Sequence, residues 1–414
     1  MNIIDIVKGD DNLGIEFTAQ QKVLIENLKH WWRTRCNQIY IYSGRAGTGK
    51  TTIVKYFMEE MGLTNDDVVC CALAGKAVTV LTSHGLRAQT IHSLIYYPKL
   101  IPCKDENGND VIGDNGEVKM TWAFVKKEHL DSCIQLIVVD EFSMVNDDLA
   151  EDLLSFGIPI IGMGDLNQLP PIFGISSYMI HPNFELTKIM RQSEGDPIIY
   201  LSNRILEHKP ILTGVYGKTR VLTRIERGAN LINDYDIALC AKNSTRDVFN
   251  NGVRRILLNI KGKEPVMGDR MICRQNKWDM CLENMYLTNG TTGRVEMIDE
   301  EQSTPAKLVI DFSPDFNPNI AFEGIGVDRK YLVSDYLDRK NYGLTTYLKM
   351  EYAYMITVHL SQGSQYPRVL FIDEPFGGDR ETLCKLRYTA VTRAMTQIDI
   401  VLSPTFLNPW FCLD

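Results

Sequence analysis

The feature that most restricts this chain is Gly44-Arg45-Ala46-Gly47-Thr48-Gly49-Lys50-Thr51, a G-x-x-x-x-G-K-T run. A short apolar β-type stretch at 37–43 leads into it, and a helical stretch from Lys50 to Met61 follows. Strand, glycine turn and helix in that order make a phosphate-binding loop. Glycines let backbone N–H groups approach phosphates, and the helix N-terminus adds its dipole. The expected nucleotide contacts are Gly44, Ala46, Gly47, Thr48, Gly49, Lys50, Thr51 and Thr52. Lys50 reaches the β- and γ-phosphates in this arrangement, and the Thr51 hydroxyl binds Mg²⁺.

The rest of the first half fits an α/β sheet. Residues 68–73 (VVCCAL), 134–139 (IQLIVV) and 158–163 (IPIIGM) are short, continuous apolar runs separated by helical stretches, the pattern of strands buried on both faces. Cys70 and Cys71 read as buried thiols. Between residues 97 and 129 the texture changes. Asn107-Gly108 and Asn115-Gly116 are hairpin signals, and they predict a small β-insertion. A second α/β unit is expected to begin near Phe184, with strands at 236–240, 369–373 and 398–402. Gly-rich sequence around 266–348, with strands at 292–298 and 307–312, predicts a second, all-β insertion.

About ninety residues beyond the loop, Val138-Val139-Asp140-Glu141 places two acids at the end of a buried strand. Asp140 suits Mg²⁺ binding and Glu141 suits activation of an attacking water. Loop and acids together imply hydrolysis of a nucleoside triphosphate.

Further motifs follow in order along nearly the whole chain. They are Phe17-Thr18-Ala19-Gln20-Gln21, Gly164-Asp165-Leu166-Asn167-Gln168-Leu169-Pro170-Pro171, Leu186-Thr187-Lys188-Ile189-Met190-Arg191-Gln192, Thr357-Val358-His359-Leu360-Ser361-Gln362-Gly363 and Tyr388-Thr389-Ala390-Val391-Thr392-Arg393-Ala394. This set resembles superfamily 1B DNA helicases, the group with RecD-type and Dda-type members. The resemblance implies an α/β fold of two RecA-like P-loop domains, with a β-hairpin insertion in the first and an SH3-like β insertion in the second. The implied bounds are 1–96 with 130–185, 97–129 as the strand-separating pin, 186–265 with 350–414, and 266–349. It implies ATP as the nucleotide and Gln21 as adenine reader. Gln168 is implied as the γ-phosphate sensor, Arg191 and Arg393 as arginine fingers, and Gln362 and Gly363 as further nucleotide contacts. The implied activity is ATP-dependent 5′→3′ unwinding of DNA, in replication, recombination or repair. An RNA or hybrid helicase and an ATPase that remodels protein–nucleic-acid complexes are the alternatives. The compact length is closer to the Dda type, which points to a phage setting.

By the same resemblance, single-stranded DNA crosses Gly75 and Lys76, Thr90 and His92, then Thr357 and His359. Two departures concern this path. The family carries Pro-Thr where this chain has Leu73-Ala74, and a basic residue where it has Leu360. Both remove phosphate contacts, so weaker or more salt-sensitive DNA binding is expected. In the pin, Met120, Trp122 and Phe124 are the candidates to stack at a fork, and they equally fit a strand's core face. Pro409-Trp410-Phe411 is expected to pack on the second domain.

The net charge of −8 argues against bulk electrostatic coating of nucleic acid and leaves a narrow basic groove open. No apolar run approaches the roughly 20 residues that span a bilayer, and 10 scattered cysteines form no C-x-x-C pair. A monomer in the cytosol is expected, without membrane contact. Single-stranded and fork or tailed duplex DNA are the expected partners, with a single-stranded-DNA-binding protein as a further one.

Overall fold

A computed structural model describes residues 17–402, apart from 105–107, 113–115, 119, 172–173, 189–195, 225–231, 283–284, 341 and 343–344. Its first layer is a six-stranded sheet in the order Ala88–Thr90, Val68–Ala72, Leu136–Val139, Ile160–Gly164, Ile39–Gly44, Phe184–Leu186. Every pairing in it is parallel. The strands lack polar–apolar alternation because both faces are covered. Tyr42, Cys70, Val138, Ile161 and Met163 face one core with helices Ala19–Thr34, Lys50–Glu60 and Gly75–Ser83. Ile41, Val69, Cys71, Ile137, Val139 and Ile160 face the other, with Phe142, Leu149 and Leu153. Burial pushes the Cys70 thiol up to about 12, so it stays protonated.

The strand Phe184–Leu186 corrects the expectation that a second α/β unit begins near Phe184. It pairs with the phosphate-loop strand, Tyr42 opposite Phe184 and Gly44 opposite Leu186, and so closes the first sheet. Three residues are too few to show a period, so only the pairing reveals where they belong.

The second sheet runs Met355–Thr357, Ile237–Cys240, Tyr366–Asp373, Ala394–Leu402, Thr219–Leu222, Gly214–Tyr216. It is parallel except for the antiparallel hairpin at its Gly214–Tyr216 edge. A separate antiparallel sheet of five strands joins Phe322–Asp328, Lys307–Pro314, Thr292–Asp299, Arg270–Cys273 and Met350–Tyr352 around its own core. Its last strand lies just past residue 349, paired to Arg270–Cys273.

Residues Tyr96–Pro102 and Met120–Lys126 form an antiparallel arm, in register from Tyr96 opposite Lys126 to Pro102 opposite Met120. Bridges between Lys104 and Asp110 and between Ile112 and Val118 flank the two Asn-Gly sites. Gly108 and Gly116 have φ of 82° and 76°, as such turns require. Among the described residues no helix is long and apolar enough to cross a membrane.

Candidate nucleotide and nucleic-acid site

Parallel strands deliver their C-terminal ends to one edge of a sheet, where open α/β folds bind ligands. Ser43 pairs with Gly164 and Val139 with Gly162, so the phosphate loop, Asp140-Glu141 and the loop after Gly164 leave the same edge together. Within the phosphate loop, Gly47 and Gly49 adopt φ of 79° and 81°. A Cβ on Gly44 would stand 2.5 Å from Thr48 Oγ1, and one on Gly49 2.8 Å from Gln21 Nε2. Lys50 Nζ donates to Gly44 O at 2.7 Å and Arg45 O at 3.4 Å, which holds the ammonium across the loop. Thr51 and Thr52 follow in the first turn of helix Lys50–Glu60.

Gln21 is held within the protein by its oxygen and one of its two amide hydrogens. Its Nε2 donates to Thr48 O at 3.0 Å, and its Oε1 accepts from Thr18 N at 2.9 Å in a capping box. It thus ties the first helix to the phosphate loop. Neighbouring Gln20 accepts from Thr187 N and Lys188 N.

Asp140 Oδ1 accepts from Glu141 N at 2.8 Å, and Glu141 lies in the left-handed region at φ 51°. Burial raises the Asp140 pKa, the Glu141 charge adds to the rise, and Lys50 opposes it. A half-buried acid pair with one nearby lysine fits a site completed by a divalent cation. Glu141 Oε2 and Gln168 Oε1 are buried without a hydrogen-bond partner, as fits groups that await a ligand. Among the described residues no three acidic, His or Cys side chains converge on a metal by themselves. That is ordinary for Mg²⁺, which shares its coordination with phosphates and water.

The second sheet faces this edge. Arg393 ends helix Arg380–Thr392, is 1% exposed, and brings Nη1 to 3.9 Å from Glu141 Oε1. Its other bonds go to Thr389 O, Ser364 O and Thr392 Oγ1. Gln362 Nε2 donates to Leu169 O at 2.7 Å, while Leu169 N donates to Thr389 Oγ1 at 2.9 Å. One residue of the loop after Gly164 is thereby held on both backbone groups. Gly363 has φ 69°, and a Cβ there would stand 3.0 Å from Ala74 Cβ, so the two units touch where the family has threonine. Tyr388 OH donates to Asp165 Oδ2 at 2.7 Å and accepts from Ala46 N at 3.4 Å. Sequence reasoning singled out Arg393 in this helix and passed over Tyr388 and Thr389. The available signal was spacing: Thr389 and Arg393 are four residues apart, on one helical face. Arg191 lies outside the described residues.

Of the expected DNA contacts, Lys76 Nζ is held by Asp315 Oδ2 at 3.1 Å and lies 4.4 Å from the Tyr366 ring centre. Gly75 starts the same helix. Thr90 caps helix Ile91–Ile95 by accepting from Ser93 N. His92 faces Tyr96 and Phe124, with ring centres at 5.7 and 5.2 Å, and lines a cleft of about 410 Å³ with Leu73, Pro171 and Gln362. Thr357 is buried at a strand end, and His359 lines a second cleft of about 420 Å³ with Pro170 and Lys385. Leu360 packs against the second core, which accounts for an apolar residue there. Phe124 is turned toward His92 and Met120 is 43% exposed. Residues 409–411 lie outside the described residues.

Burial lowers the His92 pKa to about 4 from an ordinary 6.5. The unfolded chain then takes up this proton before the folded one, so stability is full above pH 6.5 and is lost as pH falls toward 4. Thermal melts from pH 7 to 4.5 are expected to show this loss, and a His92→Phe protein to show a flatter acid limb. An identical limb in both would exclude His92 as its source.

The AAA domain family model matches residues 17–226, just over half of the chain, and the UvrD-like helicase C-terminal domain model matches 352–401. The ATP-dependent RecD2 DNA helicase of Deinococcus radiodurans is 25% identical over 93% of this chain and 50% of its own length. The ATP-dependent DNA helicase dda of Enterobacteria phage T4 is 29% identical over 50% of this chain and 44% of its own. The chain thus spans about half the length of these curated relatives. A solved structure of Pif1 helicases at forked double-stranded DNA shares the fold, with a TM-score of 0.53, 19% identity and 94% and 93% of the two chains covered. Bacteroides Pif1 with ADP-AlF3 and single-stranded DNA gives 0.50 at 18% identity, covering 94% of each chain. The chain belongs to the AAA domain family and, within it, to the superfamily 1B helicases of the RecD-like and Dda-like type.

Proposed function

We propose that this protein hydrolyses ATP to move 5′→3′ along single-stranded DNA and separates duplex strands as it goes. One observation carries the reading. Arg393 of the second unit reaches Glu141 of the first, across an edge that also bears the phosphate loop. Phosphoryl transfer needs positive charge against the charge that develops in its transition state, and a facing unit supplies it here. The nucleotide then lies between two units and draws them together, and loss of its terminal phosphate lets them part.

In this reading Lys50 binds phosphate oxygens, and Gly44, Ala46, Gly47, Thr48, Gly49 and Thr52 shape the loop around them. Thr51 and Asp140 hold Mg²⁺, which neutralises phosphate charge when bound. Glu141 orients and deprotonates the attacking water, Gln168 reports the terminal phosphate, and Arg393 with Arg191 stabilises the transition state. Gln21 contacts the adenine from its place beside the loop, and Gln362 and Gly363 border the nucleotide from the second unit. Gly75, Lys76, Thr90, His92, Thr357 and His359 carry the DNA, and the 97–129 arm acts as the pin. The protein works as a monomer in the cytoplasm, on tailed or forked duplexes.

The test is ATP-dependent unwinding of duplexes bearing only a 5′ or only a 3′ single-stranded tail. Unwinding is expected from 5′ tails alone. Unwinding solely from 3′ tails would overturn the polarity, and hydrolysis with no strand separation would favour a remodelling ATPase.

A further inference from the structure

The two units meet at an atom that belongs to neither catalytic acid nor arginine. Tyr388 is 1% exposed, and its hydroxyl has one proton to give. That proton goes to Asp165 Oδ2 at 2.7 Å, so the oxygen's lone pairs are left to accept, and Ala46 N–H points at them from 3.4 Å. Burial and the neighbouring Asp165 charge raise the hydroxyl's pKa far above its ordinary value, which keeps the proton in place. Asp165 is fully buried, and its other oxygen is taken by Asn167 N and Nδ2, both at 3.0 Å. Tyr388 is therefore not free to turn away while Asp165 stays where it is.

Ala46 belongs to the phosphate loop, whose backbone N–H groups are the donors that such a loop offers to phosphate. Here one of them is spent on a side chain from the other unit. We propose that Tyr388 is a positioning residue that senses nucleotide: its hydroxyl and a nucleotide phosphate compete for the Ala46 N–H. When phosphate takes the donor, Tyr388 keeps only Asp165, and the tie between the loop and the helix Arg380–Thr392 that carries Arg393 passes from the Tyr388 hydroxyl to the nucleotide held between the units. The same helix holds Leu169 through Thr389, so the exchange is transmitted to the loop after Gly164 that contains Gln168. This deepens the ATP-site reading and rests on it.

The test is equilibrium binding of a fluorescent ATP analogue with Mg²⁺ and without DNA, to wild type, Tyr388→Phe and Asp165→Asn. Phenylalanine keeps the ring and removes the competitor, so Tyr388→Phe is expected to bind about five-fold more tightly, the worth of one hydrogen bond. Asparagine Oδ1 can still accept from Tyr388 while its Nδ2 faces the Asn167 donors, so Asp165→Asn is expected to lose stability and to keep wild-type nucleotide affinity. A residue with a merely structural role would weaken binding or leave it alone. Unchanged or weaker binding by Tyr388→Phe overturns the proposal, as does equal tightening in both variants, which would locate the effect in loop relaxation. Wild-type protein that binds no nucleotide sinks the ATP-site reading along with this one. Binding by wild type with no gain in Tyr388→Phe sinks this one alone.

Discussion

Lys50→Ala is expected to lower DNA-stimulated ATP hydrolysis by about 10³-fold or more, with thermal stability little changed. The first half of that expectation follows from position. Lys50 Nζ lies 2.7 Å from Gly44 O at the mouth of the phosphate loop, and its charge is the one that favours ionised Asp140. A preorganised cation beside developing phosphate charge is worth several kcal/mol of barrier, comparable to losing a strong oxyanion donor at about 10²–10³-fold in rate. The second half follows from the helix. Lys50 opens Lys50–Glu60, whose core contacts come from Ile53, Val54, Phe57 and Met58. Alanine is at least as good a helix former as lysine at that place. Phosphate release with saturating DNA, read beside a thermal melt, checks both. A folded variant that keeps a tenth of wild-type hydrolysis would remove Lys50 from the site.

Arg393→Ala is expected to lower kcat by about 10³-fold or more, the scale of a missing arginine finger, and to cost stability as well. Arg393 is 1% exposed and bonds Thr389 O, Ser364 O and Thr392 Oγ1, so alanine removes three bonds in the second unit and strands Ser364 O, while Thr389 O keeps the Thr392 hydroxyl as donor. About 1–3 kcal/mol is at stake for a buried group left unsatisfied. The two effects separate in Arg393→Lys. Lysine keeps the charge and loses the planar fork, so it cannot hold those acceptors and reach Glu141 together. It is expected to melt nearer to wild type than alanine does while losing most of kcat, with the KM for ATP changed far less. Because Arg393 and Glu141 share one contact at 3.9 Å, the double variant with Glu141→Gln is expected to be far from additive. Additive losses would mean that the two groups act on separate steps.

Much of this was legible along the chain. Apolar runs at 68–73 and 134–139 became Val68–Ala72 and Leu136–Val139, since a strand covered on both faces must be apolar throughout. The two Asn-Gly pairs marked turns in the arm because those turns need positive φ. The edge strands were not legible. Phe184–Leu186, Gly214–Tyr216 and Met355–Thr357 are three residues each, and a strand that short is defined by its neighbour, not by its own pattern. Lys76 was also opaque. A lysine in a DNA-facing motif reads as a phosphate contact, and nothing near it in the chain shows that Asp315, 239 residues away, also holds its ammonium. Burial works against an ionised Asp315, and Lys76, Arg270 and the Thr292 hydroxyl more than offset it.

By itself the sequence determined the loop. Gly44, Gly47 and Gly49 followed by Lys50 and Thr51 match a phosphate-binding turn, and glycine alone suits the positive φ at Gly47 and Gly49 and the close contact at Gly44. Which groups meet at that loop was decided by tertiary structure. The strand Ile39–Gly44 pairs with Ile160–Gly164 and Phe184–Leu186, not with the strand that follows it in the chain. Parallel pairing needs crossovers, so neighbours in the sheet are set by packing between distant segments and leave no mark in local sequence. That order brings Glu141 beside the loop, and the second sheet then sets Arg393 against Glu141 and Tyr388 against Ala46.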